Sequence, residues 1–210
     1  IHSCGRAGLS AERAAIGAEL VALAARHRLV AYEVLGHLIL LQASCARGDT
    51  AAADRHAADA DRLADRYELP MVGVFTGWYA ALRHALRGNL DAAEAGYRAA
   101  AARMAGSGMP GVEEGLLALA LFSVRGSFEG DFGPYEPWIR PLRLLDAGHR
   151  ADALAALREA PEPPHDLLLE ARWWLMARAA GTLGEEEVLA RAHRALLPAD
   201  GELAGGGSGI

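Results

Sequence analysis

RGNLDAAEAGYRAA, Arg87 to Ala100, repeats in outline a stretch forty residues earlier, RGDTAAADRHAADA, Arg47 to Ala60. Both open on Arg-Gly and a polar residue, and both continue into an alanine pair. An Arg-Gly between two apolar-periodic segments is a corner, because glycine takes a left-handed backbone conformation without the steric cost that a Cβ brings. Superposing 28–67 on 68–107 pairs Leu29 with Leu69, Gly48 with Gly88 and Ala52-Ala53 with Ala92-Ala93. Pro70 falls on Pro110 one period later, so a third copy begins near Gly111. Self-similarity at this period predicts stacked helical hairpins, because each unit carries an apolar face that only a neighbour covers.

Within a unit both segments read as helices. VAYEVLGHLILLQASCA, Val30 to Ala46, spaces Leu35, Leu38, Ile39 and Leu41 over one broad face and stops at Gly48. Asp49 or Thr50 is placed to cap the next helix, whose Asp54, Asp61 and Asp65 are expected on the wet side before Pro70 closes it. Helices A and B of the second unit are Pro70 to Gly88 and Asn89 to Gly106, with SGMPG as connector. Leu9 to Leu29 is expected to be the second helix of a preceding unit or an N-terminal cap.

The composition agrees with helices packed through small side chains, since 52% of the 210 residues are hydrophobic and only 6% aromatic. All 21 basic residues are arginine and the net charge is −6, which leaves no basic face for a nucleic-acid backbone. Cys4 and Cys45 form no CxxC pair and fit a reducing compartment, so a cytoplasmic location is expected. The longest apolar run is broken by Glu33, Gly36 and His37 and predicts no membrane span. A chain opening at Ile1 and ending in AGGGSGI reads as a piece of something longer.

Gly88, Leu90, Ala93, Tyr97 and Ala100 fall at the spacing of the second half of a tetratricopeptide (TPR) repeat, and Gly148, Ala153, Leu157, Ala160 and Pro161 resemble the same half. The first half is degenerate: Gly77 and Pro137 stand where that family usually has tryptophan. Between these matches, RGSFEGDFGPYEPW, Arg125 to Trp138, breaks the helical pattern and is either a functional loop or an inter-repeat connector. The expected architecture is all-α, a right-handed superhelical solenoid of TPR-like hairpins with nine to eleven helices. One repeat domain covers 1–204, in units near 9–29, 30–69, 70–109, 110–161 and 165–198, followed by a flexible glycine-rich tail at 205–210.

Two strings are more particular. DRLADRYELPMVGVFTGWYAALRHALRGNLDAAEAGY, Asp61 to Tyr97, and LLPADGELAGGGSGI, Leu196 to Ile210, resemble the C-terminal helical array of large ATP-binding actinobacterial transcriptional regulators of the LuxR and antibiotic-regulatory types. The resemblance implies a sensing or protein-interaction role beside nucleotide-binding and DNA-binding domains elsewhere in the polypeptide. This chain has no GxxxxGK[ST] loop and no basic recognition helix, so neither activity carries over to any of its residues.

Other chemistry finds little support. GSGMPG, Gly106 to Gly111, satisfies GxGxxG but follows a helix and contains Pro110, so a connector turn explains it better than a dinucleotide site. Eight histidines include no HExxH and no pair at i, i+4, and His2 and Cys4 are terminal, so no metal and no cofactor are expected. Glu113-Glu114 and Glu185-Glu186-Glu187 sit at helix starts, where negative charge is favoured. No serine has a nucleophile-elbow context, and the chain is expected not to be an enzyme.

One constellation survives. Ten residues before the turn glycines Gly48, Gly88, Gly148 and Gly184 stand Leu38, Trp78, Trp138 and Trp174. Four residues further come Gln42, Leu82, Leu142 and Arg178, with Tyr79, Phe122 and Arg125 expected nearby. If that position faces a concave groove, these side chains line an aromatic surface for a peptide, a helix or a small apolar molecule, with Arg125 or Arg178 open to a carboxylate. The alternative is that the tryptophans fill gaps between helices and the chain is a scaffold or homodimerisation module.

Overall fold

The computed structural model describes residues 6–104, 114–203 and 205–210, and the fold is all-α. The described residues form ten α-helices and no strand: α1 Ser10–His27, α2 Val30–Ala46, α3 Thr50–Tyr67, α4 Val72–Leu86, α5 Leu90–Met104, α6 Leu116–Arg125, α7 Glu136–Asp146, α8 Arg150–Glu159, α9 Leu169–Leu183 and α10 Glu186–Leu196. Consecutive helices pack on one another from α1 to α6 and from α7 to α10, and α7 also packs on α9. The GSGMPG connector, Glu113, His2 and Cys4 lie outside the described residues.

The repeated Arg-Gly turns the same corner at Gly48 and Gly88, and Ala147-Gly148 and Leu183-Gly184 turn it again. Gly48, Gly88, Gly148 and Gly184 have φ of +73°, +77°, +79° and +79°. The following amide reaches back five residues in each case, Asp49 to Ser44, Asn89 to His84, His149 to Leu144 and Glu185 to Ala180, at 2.8–3.0 Å. This bond satisfies a carbonyl that the helix end would otherwise leave unpaired. Leaving α1 and α3 the chain makes the same bond, Leu29 to Ala24 and Leu69 to Ala64, with Arg28 (φ 56°) and Glu68 (φ 55°) in the left-handed position. The fifth residue after three of the glycines, Ala53, Ala93 and Ala153, has no exposed surface at all, so neighbouring helices approach to backbone distance there.

Asp49 caps α3 by accepting from the Ala52 amide at 2.9 Å, as the sequence predicts. Of the acids of α3, Asp54 and Asp65 are exposed as expected and Asp61 is half-buried, and two of the three are also engaged by α4. Asp54 accepts from the Tyr79 hydroxyl and from Arg83 at 2.9 and 3.0 Å, and Asp61 accepts from Thr76 at 2.7 Å. Asp54 and Asp61 thus stand at the edge between α3 and α4, where the next hairpin brings hydroxyl and guanidinium groups to them while Asp54 keeps half its surface in solvent.

Three apolar clusters result: a small one around Val34, Ala60 and Val72, a second from α2 to α6 around Trp78 and Tyr97, and a third from α6 to α10 around Phe122, Trp138 and Trp173. Arg125–Trp138 is a connector that contributes to the third. It holds one short 3-10 turn, Gly133–Tyr135, and buries Phe132 edge-on against Phe122 with centroids 6.1 Å apart.

Candidate functional site

The nine residues singled out by the corner register do not share one surface. Leu38 is half-buried beside the N-terminal cluster. Trp78 is 6% exposed, with its ring edge-on to Tyr97 at 4.9 Å, and its Nε1–H finds no acceptor among the described residues. Tyr79 is buried and donates to Asp54; burial first, then that carboxylate, pushes its phenol well above the usual range. Trp138, also 6% exposed, belongs to a different core, donates to the Pro161 carbonyl at 3.0 Å and lies under the Arg172 guanidinium at 4.8 Å. Both tryptophans are wedges between helices, which is the gap-filling alternative.

Arg125 is already engaged. It donates to Asp91 at 2.6 Å and to Glu94 at 3.0 Å, tying α6 to α5, and these acids raise its pKa in turn. A carboxylate ligand would have to displace two of the chain's own.

The remaining members do converge. Leu82 on α4 and Trp174 on α9 line a cavity of about 250 Å³ whose other walls are Leu86, Leu90 and Tyr97, Leu119, Ser123 and Val124 of α6, Leu175, and Ile210. Trp174 is 38% exposed, the only tryptophan among the described residues open to this degree. The Arg178 guanidinium stacks on its ring at 4.7 Å and over Phe122 at 5.8 Å, and no carboxylate among the described residues pairs with it. The two hydroxyls of the wall are spent internally: Ser123 Oγ donates to the Leu119 carbonyl, and the Tyr97 hydroxyl to the Gly209 carbonyl at 2.8 Å. The result is an apolar chamber beside a cation that no carboxylate of the described residues pairs with, a form that selects compact apolar groups carrying an acceptor or negative charge.

The glycine-rich segment, expected as a flexible tail, builds part of this wall. It is seated as consecutive turns with Gly205, Gly206 and Gly207 buried. Just before it the Leu203 amide donates to the Ala46 carbonyl at 2.7 Å and Ser10 donates to Glu202 at 2.6 Å, so the chain entering the segment is tied to α2 and α1, and the segment itself to α5 through Tyr97. Glycine is required at 209, where φ is +78° and a Cβ would stand 2.8 Å from Trp78 Cδ1. Beside Gly206 Cys45 is buried, and desolvation pushes its thiol up to about 11, which removes it from nucleophilic chemistry near neutral pH.

Leu86, Leu119, Val124 and Ile210 were not signalled by the sequence, because the repeat period relates neighbouring units whereas this cavity joins α4 and α6 to α9. A second juxtaposition across helices, His37 and His56 with Asp59, lies on α2 and α3 away from the cavity. Comparison of the chain with protein-family models, with curated proteins and with solved structures gave no match, so a role for it rests on the geometry of its own residues.

Proposed function

We propose that this chain is a non-enzymatic sensing domain, the helical array of a larger transcriptional regulator, and that it takes a compact apolar molecule or the apolar side chain of a peptide into the Trp174 cavity. The observation that carries this is Trp174 itself: a large aromatic left open at an apolar chamber, with Arg178 stacked on it and no carboxylate of the described residues paired to that arginine. A volume of about 250 Å³ suits a ring system or a single anchoring side chain better than a whole helix. The right-handed TPR-like solenoid belongs to the same proposal, supported by the four identical corners and the sequential packing of the helices.

An aromatic sulfonate such as 1-anilinonaphthalene-8-sulfonate matches this chemistry, its rings for the chamber and its sulfonate for Arg178. Titration should show one site per chain, with affinity lowered at least tenfold by Trp174→Ala and by Ser123→Phe, which fills the chamber from its wall. Equal affinity in native chain and both variants would remove the cavity as the site.

The scaffold reading keeps one specific observation. Ile16, Leu23, Tyr32 and Leu35 on α1 and α2 are exposed apolar side chains. If they mediate self-association, sedimentation will depend on concentration and Tyr32→Glu will abolish that dependence.

A further inference from the structure

His37 on α2 and His56 on α3 approach through their Nδ1 atoms to 3.2 Å, with ring centroids 5.5 Å apart. Asp59, one turn after His56, places Oδ2 3.9 Å from the same His37 Nδ1. All three candidate donor atoms lie within 4.8 Å of one another. From these positions we propose a binding site for a divalent first-row transition ion, Zn²⁺ in its simplest form, held by His37, His56 and Asp59 and tying α2 to α3.

The spacing carries the inference. Two nitrogens bound to one tetrahedral ion at 2.0–2.1 Å lie about 3.3 Å apart, so the imidazoles already stand at a chelating separation. The carboxylate stands 3.9 Å from His37 Nδ1 and within 4.8 Å of the His56 donor, so it must swing toward both rings to reach the same edge length, a side-chain rotation about Asp59. In the absence of an ion, one Nδ1–H can donate to the other Nδ1, so the pair has a closed resting state that metal would replace.

The surroundings favour ligation. Burial, the first cause at both rings, lowers the basicity of His37 and His56, which keeps lone pairs available near neutral pH. Arg62 donates to Asp59 Oδ1 at 2.7 Å and leaves Oδ2 turned toward the histidines, the role of an outer partner that orients a ligating carboxylate. The charged groups that act on the rings are Glu33, Asp49 and Asp59 on the acidic side and Arg55 and Arg62 on the basic side. Two imidazoles and one carboxylate are a borderline donor set that suits zinc, cobalt or nickel better than magnesium or calcium. His37 is buried while His56 and Asp59 are half-buried, so the remaining coordination position faces water and the ion can exchange.

The full chain, freed of metal with a chelator, is titrated with Zn²⁺ alone and followed by calorimetry and by the imidazole resonances of its eight histidines. The expected result is one ion per chain, with two histidine signals displaced together and the remainder unmoved. His56→Ala and Asp59→Asn, both away from the closely packed core, should each weaken binding at least tenfold while circular dichroism stays native. Co²⁺ should give the visible absorption of a low-symmetry four- or five-coordinate ion in the native chain and lose it in His56→Ala. No uptake, uptake with other histidines displaced, or equal affinity in native and His56→Ala chains would each overturn the site.

Discussion

Trp78 and Trp174 stand the same ten residues ahead of a corner glycine, on first helices of two hairpins, yet one is sealed and the other open. The corners themselves are alike, with φ of +77° and +79° and the same amide reaching back five residues. What differs is the cover. Trp78 has Tyr97 against its ring and Gly209 of the returning glycine segment 2.8 Å from its indole, measured from an added Cβ. Trp174 has Arg178 laid over its ring and keeps 38% of its surface exposed. A repeat therefore fixes where an aromatic emerges from its helix, and the segments outside the repeat decide whether it becomes core or site.

The sharpest way to break this comparison is to truncate both rings. Trp78→Ala should cost about 3–5 kcal/mol, the usual penalty for emptying a buried aromatic site. Trp174→Ala should cost about 1 kcal/mol, since a partly exposed ring forfeits little burial and one cation–π contact. Denaturant midpoints measure both. Similar losses would mean that Trp174 is as structural as Trp78 and would undercut its role at the cavity.

The same contrast shows what was legible in the sequence. Corners, helix order and the alanine contacts follow from local chemistry: an Arg-Gly at fixed spacing, a capping Asp49, a fifth residue small enough to bury. Val30–Ala46 is a helix over the full range its pattern predicts. The groove did not follow, because counting back from a glycine assigns a helix face and not the partner of that face. Trp138 is covered by Arg172 and by Pro161, far along the chain, and Trp78 by Gly209. A glycine run at 205–210 carries no periodic signal, and its burial depends on backbone passing between helices already in place. The histidine pair was hidden for a related reason: an i, i+4 search within one helix is blind to two rings meeting across a hairpin.

Restoring a side chain at Gly209 tests the cover directly. Gly209→Val forces a β-branched residue into the left-handed region and against Trp78, with an expected cost of about 2 kcal/mol. Hydrogen exchange supplies the specific readout, because the Leu203 amide, bonded to Ala46, should lose protection as the segment lifts. Trp174 should be unaffected except where Ile210 leaves the cavity wall, so sulfonate affinity should fall as well. Retained protection at Leu203 would show that the segment is not what seals Trp78.

Corner substitutions sharpen the other half of the comparison. At Gly88 and Gly184 an added Cβ meets no atom within 4 Å, so the only cost of alanine is the backbone conformation. Gly88→Ala and Gly184→Ala should therefore lose about the same amount, roughly 1 kcal/mol each. Glu68→Gly should move the other way by about 0.5 kcal/mol, relieving a left-handed glutamate while adding freedom to the unfolded chain. Thermal midpoints decide it. Unequal losses at Gly88 and Gly184 would put part of the Trp78–Trp174 difference in the corners after all.

The smallest expected effect concerns how the two helices are pinned. On α4, Tyr79 and Arg83 both donate to Asp54, whereas Arg178 on α9 lies over rings and no carboxylate of the described residues pairs with it. The Arg83 hydrogen bond, chiefly, holds the Asp54 carboxyl below the usual range, with Tyr79 adding to it and desolvation opposing. A depressed folded-state pKa contributes stability above the unfolded value, near pH 4, and that contribution is lost as the pH falls toward the folded one. The carboxylate is half-exposed, which screens the pair, so Asp54→Asn should cost only about 0.5 kcal/mol at pH 7. Its unfolding curve should converge on that of the native chain as the pH falls from the unfolded carboxylate value toward the lower folded one. Sulfonate binding beside Trp174 should not change at pH 7, since no part of that cavity's wall depends on Asp54. A gap that persists undiminished into acid would assign the loss to packing around Tyr79 and away from the charge.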